Sequence, residues 1–253
     1  MMRRIHHVGI VVERLTDAYA FYRDVLGLPL VREAEIADQG VRAALLAAGE
    51  SEIELLEPLG PATPVGRFLA KRGEGLHHIC FETPDVATSL ADLQARGVPM
   101  LDSKPRAGLA GQVGFLHPNA CSGVLVELAT PTGAPAVEPS SPLRLKRLVI
   151  GSENVRATAG TFQSLFGFSE VAINDGPRTM LAVGRGTLLV VPAREVGGTA
   201  GLVALSFMAE DFFALTAALR RAGTPRLDGT GEVTVEPSVS HGVHLHISRY
   251  MFP

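Results

Sequence analysis

Apolar runs recur along this chain in a fixed order: a strand-like run, a helical stripe, a glycine, then further strand-like runs. Residues 5–12 are rich in β-branched side chains, which predicts a strand. Ala18, Phe21, Tyr22, Val25 and Leu26 then fall on one helical face, with Thr16 and Asp17 expected to cap it and Gly27 to end it. Strand patterns follow at 30–35, 41–47 and 52–57. The order repeats from 77–82 through a helix opened by Thr83, Pro84 and Asp85, with Val86, Leu90 and Leu93 on one face, to Gly97 and strands at 98–101, 112–116 and 123–128. A third copy runs from 145–150 through a helix face of Val155, Ala159, Phe162 and Phe166 to Gly167, with strands at 179–183 and 187–191. A fourth runs from 202–207 through 212–222 and Gly223 to 243–247.

Gly27, Gly97, Gly167 and Gly223 are 70, 70 and 56 residues apart, and each opens a short strand. Four such coincidences in register predict an α+β fold of four β-α-β-β-β modules. Paired modules would form two domains, each a partly open barrel whose mouth is a natural ligand site. Residues 130–141, rich in proline and small side chains, suit a linker. The expected division is therefore a domain over 1–130, a linker over 131–142 and a second domain over 143–253.

With 253 residues there is ample material for two cores. A net charge of -3 offers no basic field to a nucleic-acid backbone, and no run of about 18–20 apolar residues suggests a membrane span. MMRR precedes only a short apolar run, too brief for a secretory signal. Cys80 and Cys121 read as two reduced thiols. A cytoplasmic location is expected.

The candidate chemistry lies in a repeated pair. Ile-His-His-Val at 5–8 and Leu-His-His-Ile at 76–79 each open a module, and the acidic runs EIELLE at 52–57 and VLVEL at 124–128 lie in their last strands. Alternate strand residues share a face, so only one histidine of each pair can line a cavity. Register by the repeat selects His7 and His78, with His6 pointing away, and Glu54 and Glu127 complete the set. Two imidazoles and two carboxylates suit a divalent ion such as cobalt, manganese, iron, nickel or zinc. Six-coordination would leave two positions for water or a chelating substrate.

The segments HHVGIVV, FYRDVLGL, EIELLEPLG, PVGRFLAKRGEGLHHICFET and FLHPNACSGVLVEL resemble the methylmalonyl-CoA epimerase family of the vicinal-oxygen-chelate superfamily, over about residues 4–130. The resemblance implies the paired β-α-β-β-β fold, metal ligands at His7, Glu54, His78 and Glu127, and cobalt as the first choice of ion. It implies interconversion of the (2R) and (2S) forms of methylmalonyl-CoA by proton abstraction at C2 through a metal-stabilised enolate. Glu127, then Glu54, are the implied proton-transfer groups. The glycine-rich loop SKPRAGLAGQVGFLHP implies substrate contacts from Lys104, Arg106 and Gly108. Departures from the family pattern are Ala43, where some relatives carry a glutamate, Leu109 and Ala110 for smaller residues, Asn119 for a common lysine, and His6 for the usual aspartate.

The second half resembles a degenerate domain of the same superfamily. Aligning the modules sets Arg147 opposite His7, Leu188 opposite Glu54, Ala204 opposite His78 and His246 opposite Glu127, so no equivalent metal site is expected; His244 and His246 share a strand face. The extra domain could replace a partner subunit, giving a monomer with pseudo-dimeric domains, and a homodimer is the alternative. Two other functions compete: another metal-dependent enzyme of the superfamily (a glyoxalase-type lyase or an isomerase of specialised metabolism), and a non-catalytic small-molecule binder.

Overall fold

The computed structural model describes residues 2–132, 140–173 and 176–249. Part of the expected linker, 133–139, lies outside them. In chain order the elements are β1 (Ile5–Val11), α1 (Leu15–Tyr22), β2 (Leu30–Ile36), β3 (Val41–Ala48), β4 (Ser51–Pro58), α2 (Pro64–Arg72), β5 (Gly75–Glu82), α3 (Val86–Ala95), β6 (Arg106–Gly108), β7 (Gly111–Leu116) and β8 (Val126–Thr130). The second half continues with β9 (Leu143–Ser152), α4 (Val155–Phe166), β10 (Ser169–Val171), β11 (Thr179–Val183), β12 (Gly186–Pro192), β13 (Gly201–Ala209), α5 (Phe212–Arg221), β14 (Arg226–Gly229), β15 (Glu232–Val235) and β16 (His244–Ser248).

These strands form two eight-stranded sheets of the same order, β2-β3-β4-β1-β5-β8-β7-β6 and β10-β11-β12-β9-β13-β16-β15-β14. In every module the last strand of the run lies beside the first, and β5–β8, β12–β9 and β13–β16 pair in parallel. The fold is thus α+β, built from four β-α-β-β-β modules, two to a sheet. The first strands of adjacent modules meet at the centre of each sheet. Every residue of β1 is consequently buried, including the polar ones.

Gly27, Gly97, Gly167 and Gly223 all adopt a positive φ, between 64 and 74°. A side chain resists this left-handed conformation, and the glycine lets the chain turn from helix into the next strand. Helix starts were less local than the sequence implied. Helix α1 begins at Leu15 rather than after Thr16 and Asp17, and Arg14, its N-cap residue, makes no side-chain cap. Instead the Glu57 carboxylate accepts the Leu15 N–H at 2.6 Å, a cap supplied from 42 residues away. Helix α2 was not foreseen, although Thr63 accepts the Gly66 N–H and Pro64 occupies the first turn.

By backbone proximity the described residues group into two compact units: 2–7, 78–132, 147–173 and 176–203 in one, 8–77, 140–146 and 204–249 in the other. In the first unit Phe81 on β5 packs against Phe166 and Phe168, with ring centroids 5.2 and 5.0 Å away. There Arg96 also donates to the Ser164 carbonyl at 2.7 Å, satisfying an orphan acceptor at the end of α4. In the second unit the buried Tyr22 hydroxyl donates to the Ser240 carbonyl at 2.9 Å, and His241 Nδ1 lies 2.9 Å from Glu74 Oε1. Among the described residues no helix is long and apolar enough to cross a membrane.

Candidate metal centre

The four donors predicted from the repeat come together on the first sheet. His7 sits on β1, Glu54 on β4, His78 on β5 and Glu127 on β8, and one ligand atom from each lies within 4.8 Å of the others. Nε2 of His7 is 3.0 Å from Nε2 of His78 and 2.9 Å from Glu127 Oε2; His78 Nε2 is 3.0 Å from the same oxygen. All four are buried, at 0, 6, 2 and 4% exposure in chain order. The sheet explains the convergence. Strands β4, β1, β5 and β8 are consecutive neighbours, so one residue from each on the same face forms a row across the sheet.

Burial alone would raise the Glu127 carboxyl, but His7 and His78 act the other way and hold it well below the usual carboxylate range. It is therefore a buried anion facing two imidazole nitrogens. Two nitrogen and two carboxylate oxygen donors around one point match the requirements of a borderline-to-hard divalent ion, so the donor set fits the metal that the sequence implied.

His6, though not among the four donors, touches one of them. Its ring was assigned to the opposite face, yet its Nδ1 lies 3.0 Å from Nδ1 of His7. Burial, reinforced by His7 and Arg4, lowers its pKa from 6.5 to about 3, so it is neutral near pH 7. Phe115 was also missed: its ring stands 5.4 Å from that of His78, a contact set by its register opposite Glu127 on β8.

The loop residues are placed differently. Lys104 is exposed. Arg106 is half-buried, donates to Asp102 Oδ2 at 3.1 Å and lies over the Phe115 ring at 5.3 Å. A Cβ at Gly108 would fall 2.8 Å from Cγ2 of Val113, so packing inside the β6–β7 hairpin is enough to require the glycine. Ala110, one of the departures noted above, belongs to a buried cluster with Cys80, Val113 and Ala129.

The second sheet supplies a residue-by-residue control. The β3–β4 and β11–β12 hairpins turn through Gly49 and Gly184, both at positive φ, with Ala48 paired to Ser51 and Val183 to Gly186. Counting on from that turn, Glu54 corresponds to Leu189, one residue beyond the Leu188 expected. Leu188, like Ile53, is fully buried on the other face. Arg147, Ala204 and His246 keep their expected places opposite His7, His78 and Glu127, and His246 is 3.0 Å from Glu232. Among the described residues, groupings that could hold a metal occur only on the first sheet: the four donors above, and His6 with His7 and Cys80.

A family model of the Glyoxalase/Bleomycin resistance protein/Dioxygenase superfamily matches residues 6–116. Ethylmalonyl-CoA/methylmalonyl-CoA epimerase of Cereibacter sphaeroides is 39% identical over 131 residues, 51% of this chain and 98% of that protein. The structure of a Streptomyces coelicolor methylmalonyl-CoA epimerase variant in complex with 2-nitronate-propionyl-CoA superposes with a TM-score of 0.51 at 41% identity, covering 53% of this chain and all of the other. Over 98% of this chain and 92% of the other, a 4-hydroxymandelate synthase mutant from Streptomyces coelicolor gives a TM-score of 0.72 at 17% identity, a likeness of fold alone.

Proposed function

The chain belongs to the glyoxalase/bleomycin resistance protein/dioxygenase superfamily, and from that premise we propose that its first half is a metal-dependent epimerase acting on C2 of methylmalonyl-CoA. The observation that carries the reading is the convergence of His7, Glu54, His78 and Glu127 within a half-chain that is about 40% identical to such epimerases. Catalysis and metal binding are assigned to 1–130, and the second half, 143–253, is assigned no metal.

His7, Glu54, His78 and Glu127 would hold the ion, with cobalt the first candidate and manganese, zinc, nickel and iron the others. When bound, it supplies a Lewis acid for the negative charge that develops on the thioester oxygen as the C2 proton leaves. The protein residues account for the rest. Glu127 starts ionised, as a proton acceptor must, but the imidazoles that hold its pKa down also make it a weak base. It can take the proton only when charge stabilisation has made C2 more acidic. Glu54 is the second proton-transfer group, for the opposite face. Both carboxylates are buried, which keeps bulk water from quenching the intermediate charge. Lys104, exposed on its loop, is the group available for the substrate carboxylate or a coenzyme phosphate. Arg106 is already engaged by Asp102 and assists as a positioned charge, and Gly108, two residues on along β6, is assigned a backbone contact to the substrate.

The proposed substrate is a small acyl-CoA, the setting cytoplasmic, and the assembly a monomer with pseudo-dimeric halves or a homodimer. The test is proton exchange at C2: methylmalonyl-CoA in deuterated water with cobalt-loaded protein, followed by NMR. Catalysed exchange that vanishes with a chelator and in His78→Ala supports the reading. An ion bound without exchange rejects the substrate and leaves the site.

A further inference from the structure

His6 stands outside the four-donor cluster, yet it is 4% exposed and touches one of the donors. The rings of His6 and His7 meet edge-on, centroids 5.2 Å apart, and the two Nδ1 atoms are separated by 3.0 Å. Two imidazole nitrogens at that distance need one proton between them. Two bare lone pairs repel, and two N–H groups collide.

A neutral imidazole carries one N–H, so the choice made at this contact decides the state of the other nitrogen of His7. That other nitrogen, Nε2, faces His78 and Glu127 at 3.0 and 2.9 Å. If His6 were the donor, neutral His7 would carry its proton on Nε2, inside the donor cluster, and could not bind an ion there. If His6 is the acceptor, the proton stays on Nδ1, and the Nε2 lone pair is available once an ion takes the place of the proton that its contacts with His78 and Glu127 otherwise need.

We infer that His6 is a positioning residue that accepts the His7 Nδ1–H on its own Nδ1, and so holds His7 in the tautomer and orientation that ligation requires. The inference rests on the metal reading of the four donors. Ligating histidines gain basicity and a fixed ring plane from such an acceptor, and losing it typically weakens metal binding by about 10–100-fold. A neutral acceptor enhances the ligand less than a carboxylate would. His6→Asp should therefore bind the ion at least as tightly as the wild type, whereas His6→Phe, similar in size but with no acceptor, should bind it about 10–100-fold more weakly.

The experiment measures zinc and cobalt affinity for wild type, His6→Phe and His6→Asp by competition with a chromophoric chelator. Loss in His6→Phe with rescue in His6→Asp supports the role, because rescue by an acceptor of different shape excludes simple packing. Unchanged affinity in His6→Phe overturns it. Should that variant not fold, zinc-loaded wild type decides by NMR. A scalar coupling between the two Nδ1 atoms with the proton on His7 supports the inference; a proton on His6 Nδ1 overturns it. Because His6, His7 and Cys80 also form a possible donor group, a thiolate-to-cobalt absorption band that disappears in His6→Phe would make His6 a ligand and overturn it too. Failure of the wild type to bind any ion would sink the metal reading and the positioning role together. That result is distinct from a failure confined to His6→Phe.

Discussion

Removing the ion should lower thermal stability by an amount that can be worked out in advance. The four donors lie close together, with the buried Glu127 carboxylate facing two imidazoles at 2.9 and 3.0 Å. An ion that binds only the folded chain adds to the stability of the folded state. At a free cobalt concentration 100 times Kd the gain is about 2.7 kcal/mol. A chain of 253 residues has an unfolding entropy near its midpoint that converts each kcal/mol into roughly 2 °C. Cobalt should therefore raise the melting temperature by about 5 °C over chelator-treated protein, and by more if part of the chain melts on its own. In His78→Ala one donor is missing, and the shift should fall below about 1 °C at the same cobalt concentration. Calorimetry or near-ultraviolet circular dichroism with and without chelator makes the measurement. Superimposable wild-type melts at saturating cobalt would refute the reasoning, leaving the four residues as a hydrogen-bonded core cluster.

Glu127→Gln keeps shape and loses charge, so C2 proton exchange should fall about 10²–10⁴-fold; an exchange rate within threefold of wild type would remove Glu127 from proton transfer. Cys121 is buried and its thiol is pushed up to about 12 from an ordinary 9.0. Below pH 9 both folded and unfolded chains keep that proton; above it only the unfolded chain ionises, so stability should fall as pH rises from 9 towards 12. Urea titrations should show that slope reduced in Cys121→Ala, and an unchanged slope would contradict the assignment. Gly242 has φ 76°, and a Cβ there would lie 2.1 Å from the Glu74 carbonyl oxygen. Gly242→Ala should cost at least about 1–3 kcal/mol in denaturant unfolding, and a neutral result would mean the loop can move aside.

Legibility in the sequence followed the range of the interaction. The strands and the four helix-ending glycines rest on local rules, alternation and positive φ, and the repeat multiplied each signal. His7, Glu54, His78 and Glu127 were legible for the same reason: each module offers one donor from its first strand and one from its last. The start of α1 was not, because its cap is the Glu57 carboxylate, and a contact across 42 residues leaves no trace in a local window. Helix α2 lies between two modules, so the repeat gave no precedent for it. The match of Glu54 to Leu188 slipped by one because apolar runs align almost equally well in adjacent registers, and only the Gly49 and Gly184 turns fix the count. His6 shows the limit of face assignment. Alternation places Cα–Cβ vectors, but a ring on a central strand can still reach its neighbour's edge.

The second half has the strand order of the first without its four donors, and its side chains take part in packing instead. Where the first sheet has His7, Glu54, His78 and Glu127, the second has Arg147, Leu189, Ala204 and His246, which replaces two carboxylates and two imidazoles with one guanidinium, one imidazole and two apolar groups. Among the described residues these four form no donor group of that kind, and the strand order is the same in both sheets. Each compact unit meanwhile draws on both halves of the chain. In one, Phe81, three residues after His78 on β5, packs on Phe166 and Phe168. In the other, Tyr22 is completely buried with its hydroxyl on the Ser240 carbonyl, and Glu74, one residue before β5, meets His241. The strand that carries His78 is thus braced by second-half side chains near both of its ends. Losing a Phe166 or Ser240 contact would expose an aromatic ring or orphan a buried hydroxyl of the first half.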